Sequence, residues 1–133
     1  MANAIYPKWK EAVIQGSANS SLAGDVKAIL VDTADYTYNA AHDFLDDVTG
    51  AAIVATSANL GTKTYTNGTF DTADFTFTAV TGDVSEALII YIDTGSAATS
   101  RLVCYRDTGV TGLPVTPNGG DITVSVPSGW FDL

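Results

Sequence analysis

Basic residues are scarce in this chain of 133 residues: six Lys plus Arg stand against fifteen Asp plus Glu, giving a formal net charge of −9. Nucleic-acid binding runs on Lys and Arg contacts to phosphate. With so few cations, scattered along the chain, DNA, RNA and anionic membrane surfaces are set aside as direct partners. Charge of either sign is sparse too, at 16% of residues against roughly 25% in an average soluble domain. The polar surface must then come largely from Thr, Ser, Asn and Gly, groups that cost less to desolvate than ions. Cysteine occurs once, as Cys104, which excludes an intramolecular disulfide. It stands in the apolar run Leu102-Val103-Cys104-Tyr105 and reads as a small buried hydrophobe. Histidine also occurs once, as His42, so a zinc site built from Cys and His ligands is excluded. No apolar run is long enough to span a membrane. The opening residues, Met1 to Lys8, lack the basic-then-apolar order of a signal peptide, so the chain is expected to be made in the cytoplasm.

Catalytic signatures are missing as well. Asp43 follows His42 directly, and neighbours in sequence do not supply the geometry of a Ser-His-Asp system. There is no Gly-x-Ser-x-Gly elbow. Thr111-Gly112-Leu113-Pro114 and Asn118-Gly119-Gly120 lack the Lys and helix of a phosphate loop and read as turns. Asp43, Asp46 and Asp47 cluster, as do Asp71 and Asp74, but neither set has the spacing of an EF-hand. The sequence predicts no catalytic centre, no cofactor and no metal.

What is there is β pattern. Hydrophobic residues make up 46%, enough for a core, and the length suits one domain over 1–133. Ile5, Trp9, Ala12 and Val13 recur at helical spacing, with Pro7 in an early turn and Gly16 as the stop, which predicts an N-terminal helical arm over 1–16. A β-sandwich is expected over 25–133. Val26 to Val31 reads as a strand, and Ala51 to Thr56 as another. Ala87 to Ile92 is apolar on both faces and predicts a central strand covered on both sides. Arg101 to Asp107 is its partner across a loop of small residues. Asp74 to Val80 alternates, with Phe75, Phe77 and Ala79 on one face, and Ile122 to Val126 alternates again. Asn67-Gly68 suits a type I′ turn and predicts a tight hairpin between Lys63–Thr66 and Thr69–Asp71. His42 to Val48 has room for one or two helical turns. The fold class is mainly β: an antiparallel β-sandwich, jelly-roll-like, with a short N-terminal helix.

Several segments together resemble a known family. They are Ala4-Ile5-Tyr6-Pro7-Lys8-Trp9-Lys10-Glu11; Ala28-Ile29-Leu30-Val31-Asp32-Thr33 with Tyr36-Thr37-Tyr38 and His42-Asp43-Phe44-Leu45; Phe77 to Gly82; Tyr91-Ile92-Asp93-Thr94-Gly95 with Thr99-Ser100-Arg101-Leu102; and, most distinctive, Leu113 to Ile122. Read end to end, the sequence resembles the small virion structural proteins of tailed bacteriophages. It departs from them at Val126-Pro127-Ser128-Gly129-Trp130, where such chains carry a Trp-Asp-Asn-Gly turn.

The resemblance implies a capsid cement or decoration protein on the outside of the head. It would bind the major capsid protein as a homo-oligomer, a trimer being favoured; a tail or neck component fits the same likeness. The contact regions would be the N-terminal arm (Tyr6, Trp9), the tyrosine loop (Tyr36, Tyr38) and the C-terminus (Trp130, Phe131), because Tyr and Trp bury large areas at modest entropy cost. Each is alternatively a core side chain, Trp9 and Phe131 above all. Two other classes remain open. One is a carbohydrate-binding β-sandwich with a platform of Tyr36, Tyr38 and Trp130. The other is an enzyme working through aspartates.

Overall fold

The runs that are apolar at nearly every position lie side by side. In a computed structural model, which describes residues 3–133, strands β2 (Val26–Val31) and β6 (Ala87–Ile92) pair antiparallel from Val26↔Ile92 to Val31↔Ala87. All of β6 is buried, and all of β2 except half-buried Lys27. Strands buried on both faces must be covered on both, and the rest of the chain supplies that cover. Around this pair, β1 (Ala4–Ile5), β7 (Arg101–Arg106) and β3 (Ile53–Thr56) complete a sheet of order β1-β7-β6-β2-β3. The protein is mainly β with antiparallel pairing and one short α-helix near the N-terminus, as expected. Among the described residues no helix is long and apolar enough to cross a membrane.

The second layer is divided into two short ribbons. One pairs β4 (Thr69–Phe70) with β9 (Phe131–Asp132); the other pairs β5 (Phe75–Phe77) with β8 (Ile122–Val124). Phe70, Phe77, Val124 and Trp130 from this layer share one continuous core with β2 and β6. Arg106 ties the layers together: its guanidinium donates to the carbonyls of Gly129 and Trp130, at 3.0 and 2.7 Å. Successive strand residues face opposite ways, so Tyr105 faces the other side. There its ring lies 6.5 Å from that of Tyr36 and 5.7 Å from that of Tyr38. The segment after β2 is thus the cover of the second face.

Helix α1 (Pro7–Gln15) begins later than its apolar spacing suggests. Ile5 is not part of it but pairs with Cys104 in β1. The cause is Pro7, whose ring disfavours helical backbone in the preceding residue; Tyr6 is extended at φ −64°, ψ 121°. The predicted stripe therefore breaks, leaving Trp9 and Ala12 buried and Val13 outside. Gly16 stops the helix as expected, in the left-handed region at φ 65°.

Several β expectations shorten, among them Ile122 to Val126, which is a strand only to Val124, and Arg101 to Asp107, which ends at Arg106. The alternation from Asp74 to Val80 yields a strand only as far as Phe77, and Ala79 is exposed at φ 50° rather than sharing the Phe face. Ala51 and Ala52 lie in a 3₁₀ turn before β3.

The Asn67-Gly68 turn forms with both residues at positive φ, 54° and 83°, and Thr69 N–H bonds to Thr66 C=O. The hairpin around it keeps the expected register but is short: beyond the turn, Thr64 and Asp71 exchange backbone bonds of 2.9 and 3.0 Å. Pairing on its two sides is confined to Thr64 and Asp71, because Thr69 and Phe70 pair with the C-terminal strand instead. Gly68 is fixed by that choice. A Cβ there would stand 2.7 Å from the carbonyl oxygen of Leu133, whose N–H bonds to Gly68 C=O at 2.8 Å. Gly68→Ala is expected to cost about 1–3 kcal/mol through strained backbone and a displaced C-terminus. Urea denaturation measures it, and an unchanged midpoint would refute the account.

Candidate interaction surfaces

Four of the six aromatic side chains expected at an interface belong to the interior. Tyr6, Trp9, Tyr36 and Trp130 are each at most 4% exposed. Buried Tyr and Trp need a partner for their polar atom, and each has one. Trp9 Nε1 donates to Ser20 C=O at 2.9 Å, and Trp130 Nε1 to Thr72 Oγ1 at 3.0 Å. The hydroxyls of Tyr6 and Tyr36 bond to each other at 2.8 Å, and Tyr36 Oη also lies 2.8 Å from His42 Nδ1. Burial pushes the Tyr6 and Tyr36 hydroxyls above the ordinary tyrosine range. The single histidine thus anchors a buried tyrosine pair. Tyr38 and Phe131 are half-buried and keep some surface. The supposed platform of Tyr36, Tyr38 and Trp130 is not assembled: Trp130 stacks on Phe75 in the ribbon layer, on the other side of the sheet from the tyrosines.

Outside the core, apolar side chains gather along one groove of about 440 Å³. Its floor is a run of rings. Trp9 meets Phe131 edge-on at 5.4 Å, Phe131 lies 5.8 Å from Phe70, and Phe70 stacks on Tyr65 at 5.7 Å. Val13 and Leu133 stand at its walls. Leu133 is 65% exposed, and Ile14, next to Val13 on the helix, 85%. Lys63 does not put its charge into the groove, for its ammonium donates to the carbonyls of Leu22 and Gly24. Tyr65 Oη also donates to Leu22 C=O, at 3.2 Å, so the loop wall is held from two sides. Contiguous exposed apolar surface of this kind marks a contact site. Val13, Ile14 and Tyr65 are not among the contact residues expected from sequence, whereas Leu133 belongs to the C-terminal segment that is. The usable signal was a helix with apolar residues on two faces and only one face to bury.

A second depression, of about 470 Å³, opens on the tyrosine side, between the segment after β2 and the end of β7. Thr33, Tyr38, Glu86, Tyr105 and Asp107 line it. Burial first, and Asp107 second, push the Tyr105 hydroxyl up to about 12. Near it, Asp32, Asp35 and Asp83 bring carboxylate oxygens within 4.8 Å of one another. Sequence spacing did not reveal this trio, because Asp83 lies far along the chain. The two aspartate clusters that spacing did suggest act locally. Asp47 accepts the backbone N–H of Asp43 at 2.9 Å, which holds its carboxyl below the usual range, while burial and Asp47 push Asp43 up. Asp71 accepts Thr72 N–H at 2.8 Å. Compared with protein-family models and with curated proteins, the chain matches none.

Proposed function

We propose that this protein is a structural component of a tailed-phage virion, a cement or decoration protein that binds the outer surface of the capsid shell and stabilises it. The observation that carries the reading is the ring-floored groove with Val13, Ile14 and Leu133 exposed beside it. Burying such a surface against the major capsid protein releases water from apolar area, the main driving force of association. The sparse charge means that few ions must be desolvated at the seam. The resemblance of the chain to small virion proteins supports the same reading, with a homotrimer as the favoured assembly. An acidic exterior suits a protein kept away from packaged DNA.

Particles that lack the protein are expected to release their DNA at a lower temperature than complete ones, and adding it back restores the difference. Ile14→Asp together with Leu133→Asp should leave the free protein folded and reduce its occupancy on the shell at least tenfold. Cryo-electron microscopy of the particle reads the location directly. Density in the tail or neck, or heat release unchanged by removal, would overturn the cement reading.

A further inference from the structure

The depression on the tyrosine side has walls of one sign of charge. Glu86 and Asp107 both line it, and among the described residues no Lys or Arg does. Tyr105 lines the cleft with them; burial first, then Asp107 and more weakly Glu86, raise the pKa of its hydroxyl. The acidic surface continues past the cleft, since Asp32 and Asp35 adjoin the cleft residues Thr33 and Tyr36 in the chain and meet Asp83 in space.

The walls are also fixed. Glu86 Oε1 accepts Thr33 N–H at 3.1 Å. Asn3 Oδ1 accepts the N–H groups of Asp107 and Thr108, at 2.8 and 3.1 Å, and Asn3 Nδ2 donates to Thr108 C=O at 3.1 Å. The tyrosine rings hold one another in tilted array, Tyr38 lying 5.1 Å from Tyr6 and 5.7 Å from Tyr105. Tyr36 is secured by its bonds to Tyr6 and His42.

Electron-rich rings beside fixed carboxylates attract a cation twice over, through the ring quadrupole and through charge-assisted hydrogen bonds. The space admits an ammonium or guanidinium head with its methylene stem, and the stem can lie along the half-buried ring of Tyr38. An uncharged sugar would leave two carboxylates facing it with no gain from their charge. We propose that this cleft receives an alkylammonium or guanidinium cation, presented as a lysine or arginine side chain of a protein partner. The site is separate from the apolar groove and does not depend on the virion reading.

The test titrates the intact protein with N-acetyl-arginine methylamide and N-acetyl-lysine methylamide, with the uncharged citrulline analogue as control, followed by backbone amide shifts in NMR. Saturable shifts confined to residues around Thr33–Tyr38, Glu86 and Tyr105–Thr108 are expected with the charged probes. They should weaken at least tenfold in Glu86→Gln/Asp107→Asn, and severalfold in raised salt. Tyr38→Leu is the second variant, also expected to weaken binding severalfold; an unchanged amide spectrum away from the cleft shows that either variant is folded. Citrulline binding as well as arginine, or folded variants that bind unchanged, would overturn the proposal. Saturation by spermidine with no response to either amino-acid probe would assign the cleft to a free polyamine and overturn the partner.

Discussion

Trp130→Ala is expected to remove about 3–5 kcal/mol of folding stability, a large part of the roughly 5–15 kcal/mol a domain possesses. The indole is 2% exposed, stacks on Phe75 at a centroid distance of 5.9 Å, and donates to Thr72 Oγ1 at 3.0 Å. Truncation opens a cavity between the ribbons and the sheet, and leaves the buried Thr72 hydroxyl without its donor, which adds to the cost. The backbone bonds of Trp130, N–H to Phe70 C=O at 2.7 Å and C=O from Arg106 at 2.7 Å, survive in alanine. The loss therefore reports the ring alone. Equilibrium urea denaturation is the measurement, with Ile14→Ser as the comparison. Ile14 is 85% exposed, and changes at such positions stay within about 0.5 kcal/mol. If Trp130 were a docking residue, the two variants would have equal stability in the free protein and differ only on the particle.

The elements most legible in the sequence are those whose signal is local. Ala87–Ile92 is an unbroken apolar run and Val26–Val31 is broken only by Lys27, and both have their expected bounds. Arg101–Arg106 follows as a hairpin partner, one residue shorter than expected. The second layer was less legible because its pairings are distant. Nothing near Thr69-Phe70 points to Phe131-Asp132 as its partner, so the Asn-Gly turn alone suggested a hairpin with its immediate flanks. The strand at Phe75 ends where its ladder to β8 ends, at Phe77↔Ile122, although the alternation runs on. A residue pattern states which side chains are able to alternate, whereas the partner decides how far they do.

The contact surface was harder still. Aromatic residues are equally at home in a core and at an interface, and sequence carries no sign of which place each will take. Tyr6 and Tyr36 are far apart in the chain, and only the fold lets each satisfy the other's hydroxyl. Once Tyr6, Trp9, Tyr36 and Trp130 are spent on the interior, the surface role falls to plainer residues such as Ile14 and Leu133. The acidic cleft was invisible for a similar reason: Glu86, just before β6, and Asp107, just after β7, are far apart in the chain and read singly as solvated charges.

Alkali is expected to unfold the protein cooperatively between about pH 10 and pH 12. In an unfolded chain tyrosine hydroxyls lose their protons near 10 and a cysteine thiol near 8.5. In the folded chain burial holds Tyr91, Tyr105 and Cys104 up to about 12, and Tyr6 higher than the ordinary range. Above the unfolded values the unfolded state therefore binds fewer protons than the native one, and stability falls as pH rises. The stabilisation is complete below the unfolded values and is lost on the way to the folded ones. Each such group contributes a slope of about 1.4 kcal/mol per pH unit. Four acting together give on the order of 5 kcal/mol per unit, enough to exhaust a domain's stability within a few units. The tyrosinate absorbance of the buried rings should then appear in the same step as the loss of β-sheet circular dichroism. Replacing Cys104 by Ala removes one of the four groups and should make the fall in stability shallower. A smooth tyrosine titration with the circular dichroism intact beyond about pH 12 would mean that the hydroxyls of Tyr6 and Tyr105 are reached by water in the folded protein, against the burial of both residues.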